Sequence, residues 1–324
     1  MPVTSHPRRS LLASALACAA LASIGGSALA QARPIRIVVA LPAGSAIDFQ
    51  ARLLAPYLSA SLGQPVVVEN KPGGRDIIAL TDVLRSPPDG TTLFMGSQSP
   101  LSLNVALVKD LPYDPRKDLT PIAGISQLNH VLIVKSSFPA KNFAEFVAYT
   151  KKNPGKVSIG YSTSLVQMLI SSINKQAGID ILAVPYKGVP ATITDVLGDT
   201  LSATLVDPGN ALPHLKSGSV RALGVTVQKR NPLTPDIPAI ADTLPGFDFP
   251  VWTAMIGPAN MPRETVLKIN AAVESALKQK DVVDKFTLAA TNTFIIAPDQ
   301  FKLLIDAETS KWIRVAREAN IQPD

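Results

Sequence analysis

Cysteine and histidine are nearly absent from this chain of 324 residues, which has one cysteine, Cys18, and three histidines. Because Cys18 lies in an N-terminal apolar stretch, the rest of the chain can form no disulfide and no cysteine-ligated metal site. The histidines beyond that stretch, His130 and His214, are far apart in the sequence and belong to no H-E-x-x-H motif. We therefore expect neither a metal nor a cofactor.

Charged residues are also sparse, at 17% of the chain, and aromatic residues make up 5%. The net charge is +6, but the basic residues are dispersed and do not alternate with aromatic ones. This pattern does not predict nucleic-acid binding, and it favours anionic ligands only weakly. Hydrophobic residues reach 46%, which indicates a packed interior, and the length suffices for two domains.

The one long apolar stretch is at the N-terminus. Arg8 and Arg9 precede "SLLASALACAALASIGGSALA", which ends in the small-x-small pattern of Ala28 to Ala30. This arrangement predicts a signal peptide over residues 1–30, cleaved before Gln31. The mature chain is then exported, by either the general or the twin-arginine route.

Short apolar runs alternate with helical patterns along the remaining chain. Residues 35–41 and 65–69 are such runs, and the apolar spacing from Ile47 to Leu58 is helical. This alternation predicts an α/β fold with parallel strand pairing. Strand series over 35–96 and 130–226 indicate two lobes, with proline-rich stretches at 112–121 and 232–250 as the crossings. Amphipathic helices over 262–279 and 298–319 are expected to return to the first lobe.

A tight corner after the first apolar run is the first candidate for a binding site. Ser45 and Asp48 form an S-x-x-D capping box at the start of a helix. The first amides of that helix have no intrahelical partner, and Gly44 permits close approach, so the corner can hold a carboxylate or phosphate. The alternative is a capped helix with no ligand.

A second corner has three hydroxyl residues, Ser162, Thr163 and Ser164, between a strand and a helical pattern. They either cap the helix or present donors to a cleft. Asp207 ends another apolar run, at the position where strand ends face a cleft in α/β lobes.

Signatures of catalysis are missing. The chain has no G-x-S-x-G elbow, no phosphate-binding G-K-[ST] loop and no G-x-G-x-x-G fingerprint. The chain is thus not expected to be an enzyme. A hydrolase that uses His130 or His214 as a base stays as the less favoured alternative.

Six segments in order resemble one family, the substrate-binding receptors of tripartite tricarboxylate transporters, also called Bug receptors. They are "LPAGSAIDFQARLLAPYLSASLGQPVVVENKPGG", "PPDGTTLFMGS", "LPYDPRKDLTPI", "VPYKGVPATITDVLGD", "ALPHLKSGSVRALGVT" and "VWTAMIGPANMP". The resemblance implies a two-lobed periplasmic-binding-protein-like fold with a ligand cleft between the lobes. It also implies a monomeric periplasmic receptor that binds a small carboxylate and delivers it to membrane transporter subunits, or instead signals through a sensor protein.

The resemblance further implies lobe boundaries and site residues. The first lobe would comprise residues 31–129 and 252–324, and the second lobe residues 130–251. The ligand-binding residues it implies are Pro42, Ala43, Gly44, Ser45, Asp48, Ser97, Ser162, Thr163, Ser164 and Asp207. Ser45 stands where the family has glycine, and Leu165 and Val166 stand in a loop that is usually glycine-rich. We therefore expect a bulkier, more apolar second-lobe wall, suited to an apolar or aromatic carboxylate or to a narrower pocket.

Overall fold

Apolar strands from two parts of the chain assemble into two separate mixed β-sheets. This computed structural model describes residues 33–228, 235–289, 291–318 and 320–323. The predicted signal peptide over residues 1–30 lies outside the described residues.

The strands in the described part of the chain are β1 (Ile35–Val39), β2 (Val66–Asn70), β3 (Thr92–Ser97), β4 (Leu119–Leu128), β5 (Val131–Lys135), β6 (Ser158–Tyr161), β7 (Leu182–Pro185), β8 (Ala203–Val206), β9 (Val220–Val225), β10 (Val251–Pro258) and β11 (Asn292–Thr293).

The helices in the same residues are α1 (Ala46–Leu62), α2 (Ile77–Leu84), α3 (Asn104–Leu107), α4 (Phe143–Lys152), α5 (Ser164–Ala177), α6 (Val189–Leu197), α7 (Pro208–Lys216), α8 (Arg263–Leu277), α9 (Lys280–Leu288) and α10 (Pro298–Glu318). Short helical turns cover Gly74–Asp76, Ser99–Leu103 and Ile240–Asp242. Within the described ranges, no helix combines the length and the hydropathy needed to cross a bilayer.

The first sheet has the strand order β11-β4-β10-β3-β1-β2. Strands β1, β2 and β3 are parallel, as predicted from the βαβ pattern. Strand β10 runs antiparallel to both β3 and β4, so the sheet is mixed and the predicted parallel pairing holds for only part of it. Strands β4 and β10 were not predicted. Pro121 interrupts the pattern of β4, and it is tolerated because β11 pairs only with Gln127 and Ser126 further along.

The second sheet has the order β7-β6-β8-β5-β9. Strand β6 is parallel to β7 and β8, whereas β5 is antiparallel to β8 and β9. Each sheet has an apolar core on both of its faces, and each core includes residues of helices. Helices therefore cover both faces of each sheet. The molecule therefore has the predicted α/β, two-lobed fold.

The crossings between the sheets differ in part from the prediction. The chain passes from β4 to β5 through Asn129 and His130 alone, and it returns between β9 and β10. The stretch 112–121 is not a crossing, since it leads into β4 of the first sheet. The prediction took proline-rich segments to be the crossings. The real first crossing is only two residues long, which is too short for its amino-acid composition to mark it.

Helix α10 packs against both sheets. Its Phe301 and Ile305 join the core of the first sheet, whereas Trp312, Val315 and Ala316 join the main core of the second. Helix α8 packs on the first sheet, as expected, and so does α9, which was not predicted. The last helix was expected to return to the first lobe; its first half packs on that lobe, and its second half joins a core that contains residues from both lobes.

Candidate functional site

The carboxyl ends of parallel strands meet at one edge of the first sheet. The corner Pro42–Asp48 follows β1 there, and Ser97 is the last residue of the parallel strand β3. Because β10 is antiparallel to β3, its first residues lie at the same edge, with Thr253 paired to Ser97. The structure thus brings the first-lobe candidates to one edge.

The predicted Ser45 cap at the start of α1 is confirmed, but the return bond of the capping box goes to Gly44, one residue before the cap, because the Ser45 amide donates to the Pro42 carbonyl. Ser45 Oγ accepts a hydrogen bond from the Asp48 amide at 3.3 Å, and the Asp48 carboxylate accepts one from the Gly44 amide at 2.9 Å. Gly44 has a φ of 84° and no atom lies within 4 Å of where a Cβ would stand. The amides of Ala46 and Ile47 occupy the first two helical positions, where no intrahelical carbonyl is available to them.

Asp48 is the anchor of this corner and is only 3% exposed. Its carboxylate also accepts hydrogen bonds from Arg52 Nε at 3.0 and 3.1 Å and from Asn70 Nδ2 at 2.9 Å. The hydrogen bond from Arg52 lowers the pKa of Asp48 to about 2, helped by Gly44 and Asn70 and opposed by burial. Because Arg52 offsets its charge and Asn70 donates a further hydrogen bond, Asp48 holds the corner without bonding to the amides of Ala46 and Ile47.

The second-lobe candidates also share one edge of their sheet. Ser162–Ser164 follow β6 and Asp207 follows β8, and these two strands are parallel. Thr163 caps α5 by accepting from the Val166 amide at 3.3 Å. Asp207 caps α7 through the Asn210 amide at 3.0 Å. Ser162 and Ser164 are half-buried and Thr163 is exposed.

Both edges meet at the crossings. Leu128 at the end of β4 pairs with Val251 of β10, and three residues later Val131 pairs with Val206, which precedes Asp207. The outgoing and returning segments are bonded together, because the Thr226 amide donates to the His130 carbonyl at 3.0 Å. The ligand edges of the two sheets therefore adjoin across these crossings.

A contact beyond the crossings also joins the two edges. A Cβ built on Gly209, in the first turn of α7, would stand 3.6 Å from the carbonyl oxygen of Ala289, which follows α9. Helix α7 belongs to the second sheet and α9 to the first. The first turn of α7, which Asp207 caps, is therefore close to an element of the first lobe.

The predicted apolar second-lobe wall is not present at Leu165 and Val166. These side chains are 6% and 3% exposed, and they pack in the main core of the second sheet. Leu165 and Val166 are the second and third residues of α5, not loop residues. The helical period places them on the same buried face as Leu169 and Ile173. The hydroxyl residues Ser162–Ser164, not these two, face the accessible side of the loop.

Neither histidine is placed as a catalytic base. His214 lies at the end of α7, 3.5 Å from Ser219 Oγ, at the edge of the second sheet opposite to Asp207. Nδ1 of His130 is buried and has no hydrogen-bond partner in the described ranges. Burial lowers the pKa of His130, while the charge of Asp207 opposes this. Among the residues that the structure describes, no hydroxyl group is bonded to either ring at the ligand edges.

Three polar residues at the first edge were missed. Gln50, Ser126 and Thr253 are at most 7% exposed and bond to each other beneath the corner. Gln50 occupies a position on the buried face of α1 where an apolar residue is expected. That break in the apolar period was the available signal, since Ser126 and Thr253 lie in strands that were not predicted.

Comparison with known proteins identifies the family. The model of the tripartite tricarboxylate transporter family receptor matches residues 50–321. The chain belongs to this family. BugT of Bordetella pertussis is 31% identical over 291 residues, which cover 89% of this chain and 89% of BugT.

Two solved relatives of this receptor carry carboxylates. A Rhodopseudomonas palustris protein with adipate is 29% identical, with a TM-score of 0.79 over 90% of this chain and 99% of its own. MatC from Rhodopseudomonas palustris, with bound malate, is 30% identical, with a TM-score of 0.73 over 88% and 99%. The two-lobed fold of the receptor is therefore one that holds small dicarboxylates in its relatives.

The loop after β2 lies at the same edge of the first sheet. It combines an unusual backbone conformation with a carboxyl group of raised pKa. Residues 73–76 all have positive φ, and burial raises the pKa of Asp76 to about 6. A carboxyl group whose pKa is raised costs stability once it ionises, so the cost is absent near pH 4 and full above pH 6. Asparagine tolerates the same φ without the charge.

We accordingly expect Asp76→Asn to raise the free energy of unfolding by about 2 kcal/mol near pH 8 and to leave it unchanged near pH 4. Urea unfolding at the two pH values measures this difference. The matched control is Asp110→Asn, because Asp110 also has a positive φ but is exposed. An equal gain at both pH values, or a gain in the control, would contradict the assignment.

Proposed function

We propose that this protein is a periplasmic solute receptor that captures a small carboxylate and delivers it to a tripartite tricarboxylate-type membrane transporter. The family match and the carboxylates bound by its relatives support the class of ligand. One observation carries the proposal: the two sheet edges that hold the candidate ligand residues adjoin at the crossing through Asn129 and His130. At each of these edges a helix begins with a side-chain cap, Ser45 in the first lobe and Thr163 in the second.

In this proposal one carboxylate of the ligand binds at the first-lobe corner. The amides of Ala46 and Ile47 donate to it, and the positive end of α1 stabilises its charge. The proposed ligand contacts in the first lobe are Pro42, Ala43, Gly44, Ser45, Asp48 and Ser97, with Asp48 shaping the corner. Those in the second lobe are Ser162, Thr163, Ser164 and Asp207.

The hydroxyl groups of the second-lobe loop favour a polar end group on the ligand. The hydroxyl groups of Ser162, Thr163 and Ser164 can donate to a second carboxylate or to a hydroxyl of the ligand. The carboxylate of Asp207 already accepts hydrogen bonds from the amide and the side chain of Asn210. Because Leu165 and Val166 are buried in the core, the reason to expect an aromatic ligand is removed. Adipate and malate are therefore the first compounds to test.

The proposal also covers organisation and chemistry. The receptor acts as a monomer without metal or cofactor, it catalyses no reaction, and cleavage occurs before Gln31. The lobes comprise residues 31–129 with 252–324, and 130–251. The second half of α10, from Trp312 onward, packs on the core of the second lobe.

Binding measurements test this function. Mass spectrometry of small molecules released from the purified protein should detect a carboxylate, and calorimetry after removal of that molecule should show saturable binding to a small carboxylate. We expect Ser45→Ala and Thr163→Ala each to weaken binding about fivefold or more, since each removes the cap of a ligand-facing helix.

The control removes a cap elsewhere. Asn142 caps α4 by accepting from the Glu145 amide at 2.8 Å, and α4 follows the end of β5, at the edge of the second sheet opposite to Thr163. Asn142→Ala should lower stability like the other two variants and leave affinity unchanged. A protein that binds no compound from a broad carboxylate panel would contradict the proposed function.

A further inference from the structure

We propose that Gln50, Ser126 and Thr253 form a neutral hydrogen-bonded ring beneath the first-lobe corner and that Gln50 positions the corner for an anionic carboxylate. This inference rests on the proposed function and adds to it a residue that sets selectivity. The three residues are called the polar ring below.

The register of the first sheet places the polar ring directly at the ligand edge. Thr253 of β10 pairs with Ser97 of β3 on one side and with Ser126 of β4 on the other. Paired residues project from the same face of a sheet, so three hydroxyls form a row across three strands. Helix α1 covers this face, and Gln50 projects from its second turn onto the row.

The polar ring is closed in one direction. Thr253 Oγ1 donates to Gln50 Oε1 at 3.0 Å, and Gln50 Nε2 donates to Ser126 Oγ at 3.0 Å. The hydroxyls of Ser126 and Thr253 lie 2.7 Å apart. Since the proton of Thr253 is committed to Gln50, Ser126 must donate to Thr253. Exchanging the amide oxygen and nitrogen reverses the ring without opening it.

A closed ring fixes the corner relative to Ser97. Gln50 lies two residues after Asp48 and is bonded to two central strands, so the first turn of α1 cannot shift against β3 and β10 without breaking these bonds. Ser97 Oγ accepts from the Ser99 amide at 3.3 Å, which leaves its proton for a ligand oxygen. The side-chain amide of Gln50 has two protons, and the polar ring uses one of them. The second proton is a further donor available to a ligand.

The polar ring is also uncharged, and this supports selectivity for an anion. The charged residues nearest to Gln50 along α1 are Asp48 and Arg52, which are bonded to each other. A negative charge at position 50 would stand beneath the bound carboxylate, and the nearest cation along α1, Arg52, is already paired with Asp48; at low dielectric such repulsion is large. A glutamic acid that is protonated there would instead keep a donor for Ser126 and so restore the ring.

Gln50→Glu distinguishes this role from simple packing, because the two side chains have the same shape. We expect the affinity for adipate or malate, whichever the unsubstituted protein binds, to fall about tenfold or more near pH 8. Near pH 6 the desolvated carboxyl is expected to be protonated, and the affinity should recover to within about threefold. Calorimetry at the two pH values measures both, and thermal unfolding confirms that the variant is folded.

Two further variants complete the test. Gln176→Glu is the matched control, because Gln176 donates to Ser172 Oγ at 3.1 Å on the outer part of α5, and its affinity should not depend on pH. Gln50→Leu should weaken binding equally at both pH values. Gln50→Glu that binds like the unsubstituted protein at both pH values, or that is weakened equally at both, would overturn the role of Gln50. An unsubstituted protein that binds no carboxylate would contradict the proposed function itself.

Discussion

Replacing Asp48 with asparagine is expected to lower the free energy of unfolding by about 2 kcal/mol at pH 7 and to weaken carboxylate binding more than tenfold. The reason is the surroundings of its side chain. Gly44, Arg52 and Asn70 all present donors to the carboxylate. An asparagine at this place would turn its own amide protons toward at least one of these donors.

The loss of binding follows from the same contacts. The Asp48 carboxylate ties the amide of Gly44, at positive φ, to the first turn of α1. Without this bond, the Ser45 cap is the one side-chain hydrogen bond that remains between Pro42–Ser45 and α1 in the described part of the chain. The amides of Ala46 and Ile47 are then no longer held in one orientation. The ligand would then have to order the corner when it binds, and this cost lowers its affinity.

The dependence on pH has a definite sign. Arg52 lowers the pKa of Asp48 to about 2 in the folded protein, below its ordinary value of 3.8. The stability that the ionised carboxylate contributes is therefore complete above pH 4 and is lost as the pH falls toward 2. The stability difference between the unsubstituted protein and Asp48→Asn should be full at neutral pH and should shrink below pH 4.

Urea unfolding and calorimetry measure the two effects of Asp48→Asn. The control is Asp299→Asn, because Asp299 also pairs with an arginine, Arg263, at 3.0 Å, but both side chains are 71% exposed. Such a pair contributes about 1 kcal/mol or less. Equal costs for Asp48→Asn and Asp299→Asn would show that the buried network does not hold the corner.

The largest loss of stability is expected from Trp312→Ala, about 3–5 kcal/mol. Trp312 is fully buried in the second half of α10. Its ring lies 5.4 Å from that of Phe249 in the returning crossing, and it belongs to the core that also contains Leu103 from the first-lobe side. Truncation would leave a cavity where the two lobes and the crossing meet.

Chemical denaturation gives the size of this effect, and Ile313→Ala is its neighbour control. Ile313 is 40% exposed on the outer face of the same helix, so its truncation should cost about 1 kcal/mol or less. Trp312→Phe should fall between the two. A Trp312→Ala protein as stable as the Ile313→Ala protein would mean that the end of α10 does not join the core of the second lobe.

Local signals in the sequence predicted the elements that carry the site. The capping box of Ser45 and Asp48 placed the start of α1, because a cap acts over three residues and needs no partner from elsewhere. Apolar periodicity placed β1 and β3 within about two residues of their bounds, whereas the apolar period of α1 stopped at Leu58 and the helix ends at Leu62. The corner after β1 and Ser97 at the end of β3 were thus predictable from strand ends alone.

Signals that depend on distant partners failed. Strands β4 and β10 lack a clear period, and their pairing with each other makes them strands. The inward turn of Leu165 and Val166 was missed because the family comparison assigned them to a loop, whereas α5 begins at Ser164. Proline-rich segments indicated the wrong first crossing, since the real one is two residues long.

By itself, the sequence determined the α/β class, the capped corner after β1 and the family motifs, because these depend on residues close together along the chain. The tertiary structure alone decided what surrounds the corner. Asn70 reaches Asp48 from 22 residues away, and Thr253 reaches Gln50 from 203 residues away. No local pattern encodes such contacts, because they form only when the strands of the first sheet have paired in register.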